Sequence, residues 1–153
     1  MDFNTERVPI DDLRPHPENY RDHPPDQIEH IISSITNLGF YRNVVIANDN
    51  TILAGHGVWK ACKQMGTIKE IPCIRLKVSP DSASAKKVLV GDNEIGKLGL
   101  QDDRMLTTIL REIYEADDLV DGLLGTGYDE MMLAGLVYVT RPADEIQDVD
   151  EAA

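Results

Sequence analysis

A chain of 153 residues, 42% apolar and 27% charged, is long enough to enclose one hydrophobic core and too apolar to behave as a disordered polyelectrolyte. Its net charge of −12 is unevenly placed: residues 1–100 carry 12 Lys+Arg against 13 Asp+Glu, and residues 101–153 carry 3 against 14. That acidic end disfavours nucleic acid, no apolar run reaches the roughly 18 residues of a membrane helix, and the first residues lack a secretory pattern, so a cytoplasmic protein without membrane contact is expected.

In chain order, Val8-Pro9-Ile10 predicts a short edge strand, a place where proline is tolerated. Four prolines between Arg14 and Pro25 predict a loop of fixed shape, rich in groups that recognise anions: Arg14, His16, Arg21 and His23. Asp26 to Leu38 predicts a helix. Ile28, Ile31, Ile32, Ile35 and Leu38 recur as a core-facing stripe, Pro25 suits the first turn and Gly39 the end. Asn43–Ala47 and Thr51–Ala54 read as a hairpin around Asn48-Asp49-Asn50. Ile71 to Leu76 reads as a further strand, placed at an edge by Pro72. Ser79 is the expected cap of a helix running to about Asn93, with Pro80 in its first turn. Asp102–Tyr114 predicts another helix with Met105, Leu106, Ile109, Leu110 and Ile113 on one face. Gly122, Gly125 and Gly127 mark a loop before a last helix, Tyr128–Val137, and residues 138–153 are expected to form an acidic, disordered tail.

The stretch from Thr51 to Cys62 carries the most chemistry. A buried strand passes through Gly55-His56-Gly57 directly into a helix whose apolar face holds Val58, Ala61, Cys62 and Met65, with Gly66 as a left-handed cap. Two glycines at a strand-to-helix turn expose N–H groups at the positive end of the helix dipole, which suits a phosphate or carboxylate; a bare turn is the alternative. Seven basic residues between positions 51 and 90 leave this region open to a polyanion, although solvated lysines give the same count. His56 is a candidate general base with no nucleophile tied to it, or a donor to a loop carbonyl. Glu18, beside Arg21, is a second candidate base or a rim carboxylate. Asp92, Asn93 and Glu94 offer oxygen ligands to a nucleotide-bound metal, or are solvated acids at a helix end. His16, His23, Cys62 and Cys73 lack the paired spacing of structural zinc, so no protein-held metal is expected, and the two cysteines read as buried free thiols.

The order Pro15-His16-Pro17-Glu18-Asn19-Tyr20-Arg21, a helix ending in Leu38-Gly39, a hairpin, Ala54-Gly55-His56-Gly57-Val58-Trp59-Lys60-Ala61 and then Ile71-Pro72 resembles the ParB/sulfiredoxin superfamily over roughly residues 6–78. Asp92-Asn93 and the acidic helix after them look like the extension of stand-alone phage or DNA-methylase-associated members. The resemblance implies a nucleotide site at the strand-to-helix turn, with phosphates bound by Arg21, Gly55, His56, Gly57 and Lys60. Two departures bear on chemistry. The two central arginines of the ParB motif are Gly57 and Val58 here, which removes two charges from phosphate. Sulfiredoxin's cysteine is His56 here, so sulfinic acid repair is not expected.

The reading is an α+β fold: a small mixed sheet with packed helices over residues 1–78, a helical C-terminal extension over 79–137 and the acidic tail. The function it implies is a ParB-like nucleotide-binding module in DNA metabolism, taking a nucleoside triphosphate or diphosphate with Mg²⁺, and DNA or a DNA-processing protein as partner. Two alternatives stand beside it: an NTPase, kinase or nuclease on the same fold, and an acidic interaction protein whose pocket has decayed.

Overall fold

The computed structural model of the chain describes residues 5–116 and 122–143. The expected disordered tail lies outside them from residue 144 onward. By their internal contacts, residues group into two units, Met1–Gly99 and Leu100–Ala153.

Among the described residues of the first unit are five strands, β1 (Thr5–Pro9), β2 (Arg14–Pro15), β3 (Val44–Ile46), β4 (Thr51–Ala54) and β5 (Glu70–Arg75), and three α-helices, α1 (Pro25–Leu38), α2 (His56–Met65) and α3 (Ala83–Glu94). The strands form one mixed sheet in the order β1-β5-β3-β4-β2. β1 and β5 pair antiparallel, β5 and β3 parallel, β3 and β4 antiparallel, β4 and β2 parallel. This is an α+β architecture, as the sequence pattern predicts.

β4 explains why the sheet needs cover on both sides. Alternate residues of a strand face opposite ways. Ile52 joins a core of Val8, Leu13, Val44, Ile46, Cys62, Ile71 and Cys73, packed with Ile35 of α1 and Val58 and Trp59 of α2, while Leu53 joins Ala47 and Ala85 of α3 in a separate cluster. All four β4 residues are buried, and so the strand reads as a continuous apolar run rather than an alternating one.

Several expectations are corrected in detail. Ile10 belongs to a 3-10 turn, Ile10–Asp12, rather than to β1. Arg14 and Pro15, expected in a loop, form the edge strand β2, where missing N–H groups cost least. β5 is interior, not an edge, despite Pro72. Arg7 of β1 lies opposite it, and one proline removes a single donor from one ladder while both neighbours still pair. The α1 stripe is not all core: Leu38, in the last turn, is 75% exposed. α3 begins three residues later than expected. Its cap is Ser82, whose Oγ accepts from Ala85 N–H at 3.2 Å, while Ser79 contributes its carbonyl, which accepts from the Ser82 hydroxyl at 2.7 Å.

The second unit has two α-helices among its described residues, α4 (Asp103–Glu115) and α5 (Glu130–Val139). Each is capped by the aspartate before it: Asp102 accepts from the N–H groups of Arg104 and Met105, and Asp129 from that of Met132. Leu110, Leu123 and Leu133 make its core, with Leu106, Ile113, Tyr128 and Leu136 packed around them. Met105 and Ile109, expected on the same buried face, are exposed. α5 runs to Val139, two residues past the expected end.

Candidate functional site

The turn from β4 into α2 is built from two glycines with different duties. Gly55 has φ +96°, a left-handed conformation that side chains avoid, and a Cβ there would lie 3.0 Å from Val44 Cγ2 and 3.2 Å from Val44 Cα. A Cβ on Gly57 would lie 3.0 Å from Ile31 Cδ1 and 3.1 Å from His23 Nδ1, so this glycine lets α2 approach α1 and the proline-rich loop closely. The first helical bond joins Trp59 N–H to the Gly55 carbonyl at 3.1 Å. The N–H groups of His56, Gly57 and Val58 therefore precede the helical ladder, no side chain caps them, and the first turn holds no acid. They sit at the positive end of the α2 dipole.

His56 is buried, and its Nε2 accepts from His16 N–H at 3.1 Å, which places its proton on Nδ1. Burial, then the nearby His23, His16 and Lys60, push its pKa down to about 4, so the ring is neutral at physiological pH. The Nε2 lone pair that a general base would use is already engaged. His16 is buried as well. Its Nδ1 accepts from Glu18 N–H and its Nε2–H donates to the Pro80 carbonyl, both at 2.9 Å. One pair of buried histidines thus ties the start of α2, the proline-rich loop and the turn before α3 together.

The loop continues along α3. Glu18 pairs with Lys86 at 3.4 Å, and the Tyr20 hydroxyl donates to Glu94 at 2.8 Å, which lowers the Glu94 pKa and raises that of Tyr20. The Arg21 charge acts on Tyr20 and Glu94 at this end, whereas His16 and His23 are the loop residues that act on His56. Of the residues singled out from sequence, the structure gathers Gly55, His56 and Gly57 at the turn. Lys60 lies one helical turn on, exposed, and Glu18 and Arg21 lie on the α3 side.

Sequence reasoning missed the positioning role of His16. The signal was its place between Pro15 and Pro17, which restricts the backbone on either side of it. His23, read from sequence as an anion-recognising loop group, has its Nδ1 3.0 Å from Gln27 Oε1 and its Nε2 buried without a hydrogen-bond partner. Cys62 and Cys73 are fully buried and unpaired, and burial pushes both thiols up to about 11. Among the described residues no cluster of His, Cys, Asp or Glu is arranged to hold a metal ion, and no helix is long and apolar enough to cross a membrane.

No protein-family model and no curated protein matches the chain. Solved structures do. The C-terminally truncated chromosome-partitioning protein ParB from Caulobacter crescentus, complexed with CTP-gamma-S, superposes with a TM-score of 0.71 over 95% of this chain and 83% of its own, at 16% identity. The fold is that of a ParB N-terminal domain. A Pnob8-like ParB-N domain matches with a TM-score of 0.53 and 15% identity over 90% of this chain, which spans 63% of that domain's chain. At such identities the likeness is one of fold. The ParB-like arrangement inferred from the order of short motifs is therefore present in three dimensions.

Proposed function

We propose that this chain is a ParB-like nucleotide-binding module, which holds the phosphates of a nucleoside di- or triphosphate at the start of α2 and works in DNA metabolism with a DNA-processing partner. The observation that carries this reading is the uncapped first turn of α2, with three N–H groups before the ladder and no acid among them, in a fold shared with a ParB complexed with CTP-gamma-S. Neutral His56, whose Nε2 is engaged by His16 N–H, keeps its Nδ1–H as a further donor. In this reading Arg21, from the proline-rich loop, and Lys60, one turn into α2, are the cations offered to the phosphates, and Mg²⁺ accompanies the nucleotide. Because Gly57 and Val58 stand where the ParB motif has arginines, the module is expected to bind nucleotide more readily than it turns it over.

A thermal-shift screen against CTP, ATP, ADP and GTP, with and without Mg²⁺, tests it. A ligand present at 100 times its dissociation constant should stabilise the chain by about 2.7 kcal/mol. Phosphate release measured alongside separates a binding module from an NTPase. If none of the four nucleotides raises the melting temperature, the α2 turn is structural and the acidic interaction protein becomes the better reading.

A further inference from the structure

In the second unit, α4 and the end of α5 enclose a cleft of about 320 Å³ lined by Arg104, Thr107, Thr108, Arg111, Thr140 and Pro142. The four α4 residues recur at helical spacing on one face, and Arg104 and Arg111, two turns apart, stand about 10 Å apart along the axis. Only three cations follow residue 100, against 14 acids. Two of them line this one cleft, and the third, Arg141, lies in the sequence between lining residues Thr140 and Pro142. In so acidic a segment, solvated arginines would be expected to find carboxylates. Among the described residues, however, neither the Arg104 nor the Arg111 guanidinium has an ion-pair or hydrogen-bond partner. The threonine hydroxyls are occupied: Thr107 donates to the Asp103 carbonyl at 2.6 Å, Thr108 to that of Arg104 at 3.0 Å and Thr140 to that of Leu136 at 2.6 Å. The two guanidinium forks are the free donors of the cleft.

We propose that this cleft binds a phosphate dianion, free or as a monoester, between Arg104 and Arg111. The planar guanidinium fork matches phosphate oxygens in pairs. Two cations balance the charge of close to −2 that a monoester carries at neutral pH. The cleft has room for a phosphoryl group with a small organic substituent. A long polyanion is disfavoured, because it would run from the two arginines into the acids around them. The inference does not depend on the nucleotide reading of α2.

Amide NMR spectra of the full chain, titrated at constant ionic strength with inorganic phosphate, phenyl phosphate and dimethyl phosphate, test it. Saturable shifts are expected at Thr107, Thr108, Arg111 and Thr140 with the first two, and binding about tenfold weaker or worse with the singly charged diester. Stronger binding of phenyl phosphate assigns the site to an ester, and stronger binding of inorganic phosphate assigns it to the free ion. Affinity for phenyl phosphate should fall below about pH 6, where the second proton of a monoester returns. The R104Q/R111Q variant should lose the shifts and R21A should keep them. Both arginines are exposed and glutamine is a good helix former, so the double variant should melt like the parent. Shifts that stay linear with concentration, or saturation unchanged in R104Q/R111Q, or a diester that binds as well as the dianions, would overturn the proposal.

Discussion

Gly55 and Gly57 are constrained in different ways, and substitution should separate them. At Gly55 an alanine meets both a left-handed backbone and the Val44 main chain, neither of which can yield cheaply. Gly55→Ala is expected to cost about 1–3 kcal/mol. At Gly57 the nearest atom is the end of the flexible Ile31 side chain, with the His23 ring 3.1 Å away, and alanine's better helix propensity, up to about 1 kcal/mol, offsets part of the crowding, so the loss should be smaller than at Gly55. Urea midpoints of the two variants decide it; equal losses would mean that the Gly55 conformation is not required. His56 gives a pH signature. Its folded pKa of about 4 lies below the usual 6.5, so the unfolded chain takes up the proton first as pH falls. The neutral ring's contribution is therefore fully present above about pH 6.5 and lost progressively toward pH 4. The groups that set this are its burial and the charges of His23, His16 and Lys60. Melting temperature followed from pH 7 to 4 should fall less steeply in His56→Gln than in the parent. A parallel fall in both would place the acid sensitivity elsewhere. On the proposed reading Arg21 serves ligand contact: among the described residues its half-buried guanidinium lies near Tyr20 and Glu94 without a hydrogen bond or ion pair. Arg21→Ala should weaken nucleotide binding by roughly 1.5–3 kcal/mol, the range for a charge-assisted hydrogen bond, and barely move the ligand-free melting temperature. Parent-like binding by calorimetry would remove Arg21 from the site.

At the scale of the element, helix starts carry the lesson. The Ser79-Pro80 pair is a recognised start signal, yet α3 begins after Ser82, because there a serine side chain reaches the N–H three residues on. Ser82→Ala should lower stability by about 1 kcal/mol, the usual loss of a capping hydroxyl. Ser79→Ala should be near neutral, since only the Ser79 carbonyl is used. Chemical denaturation of both variants checks the order, and a larger loss at Ser79 would restore it as the cap. α2 shows the opposite case. It lacks a capping side chain altogether and relies on Gly55 at its start and Gly66, at φ +71°, at its end. A helix start without its own acceptor is the kind that an external anion can complete.

For the whole molecule, charge decides which partners are admissible. With a net −12, concentrated after residue 100, the isolated chain should bind duplex DNA weakly and without sequence preference at physiological salt, and the affinity should fall steeply as salt rises. Fluorescence anisotropy across a salt series measures this. Salt-resistant, sequence-specific binding would mean that the acidic end does not govern the encounter. DNA metabolism, on the proposed reading, therefore runs through a partner that supplies the DNA contact.

Much of this was legible in the sequence because it is written in local chemistry. Periodicity alone gives α1, β3, β4, α2 and α4 to within a residue or two, since each depends on neighbours three, four or two positions away. The glycines around His56 and the order of the short motifs were enough for the ParB-like fold. What lay beyond the sequence depends on contacts between distant positions. Pro72 reads as an edge residue until β1 and β3 are seen to pair on either side of it. His16 reads as a loop histidine until its ring is found joined to Glu18 and Pro80, and its N–H to His56. Arg104 and Arg111 are two ordinary surface arginines until α5 brings Thr140 and Pro142 to their side. Spacing along a chain records which face a residue occupies within its own element; what stands opposite that face is settled only when the elements pack, because burial and hydrogen bonding are properties of the pair.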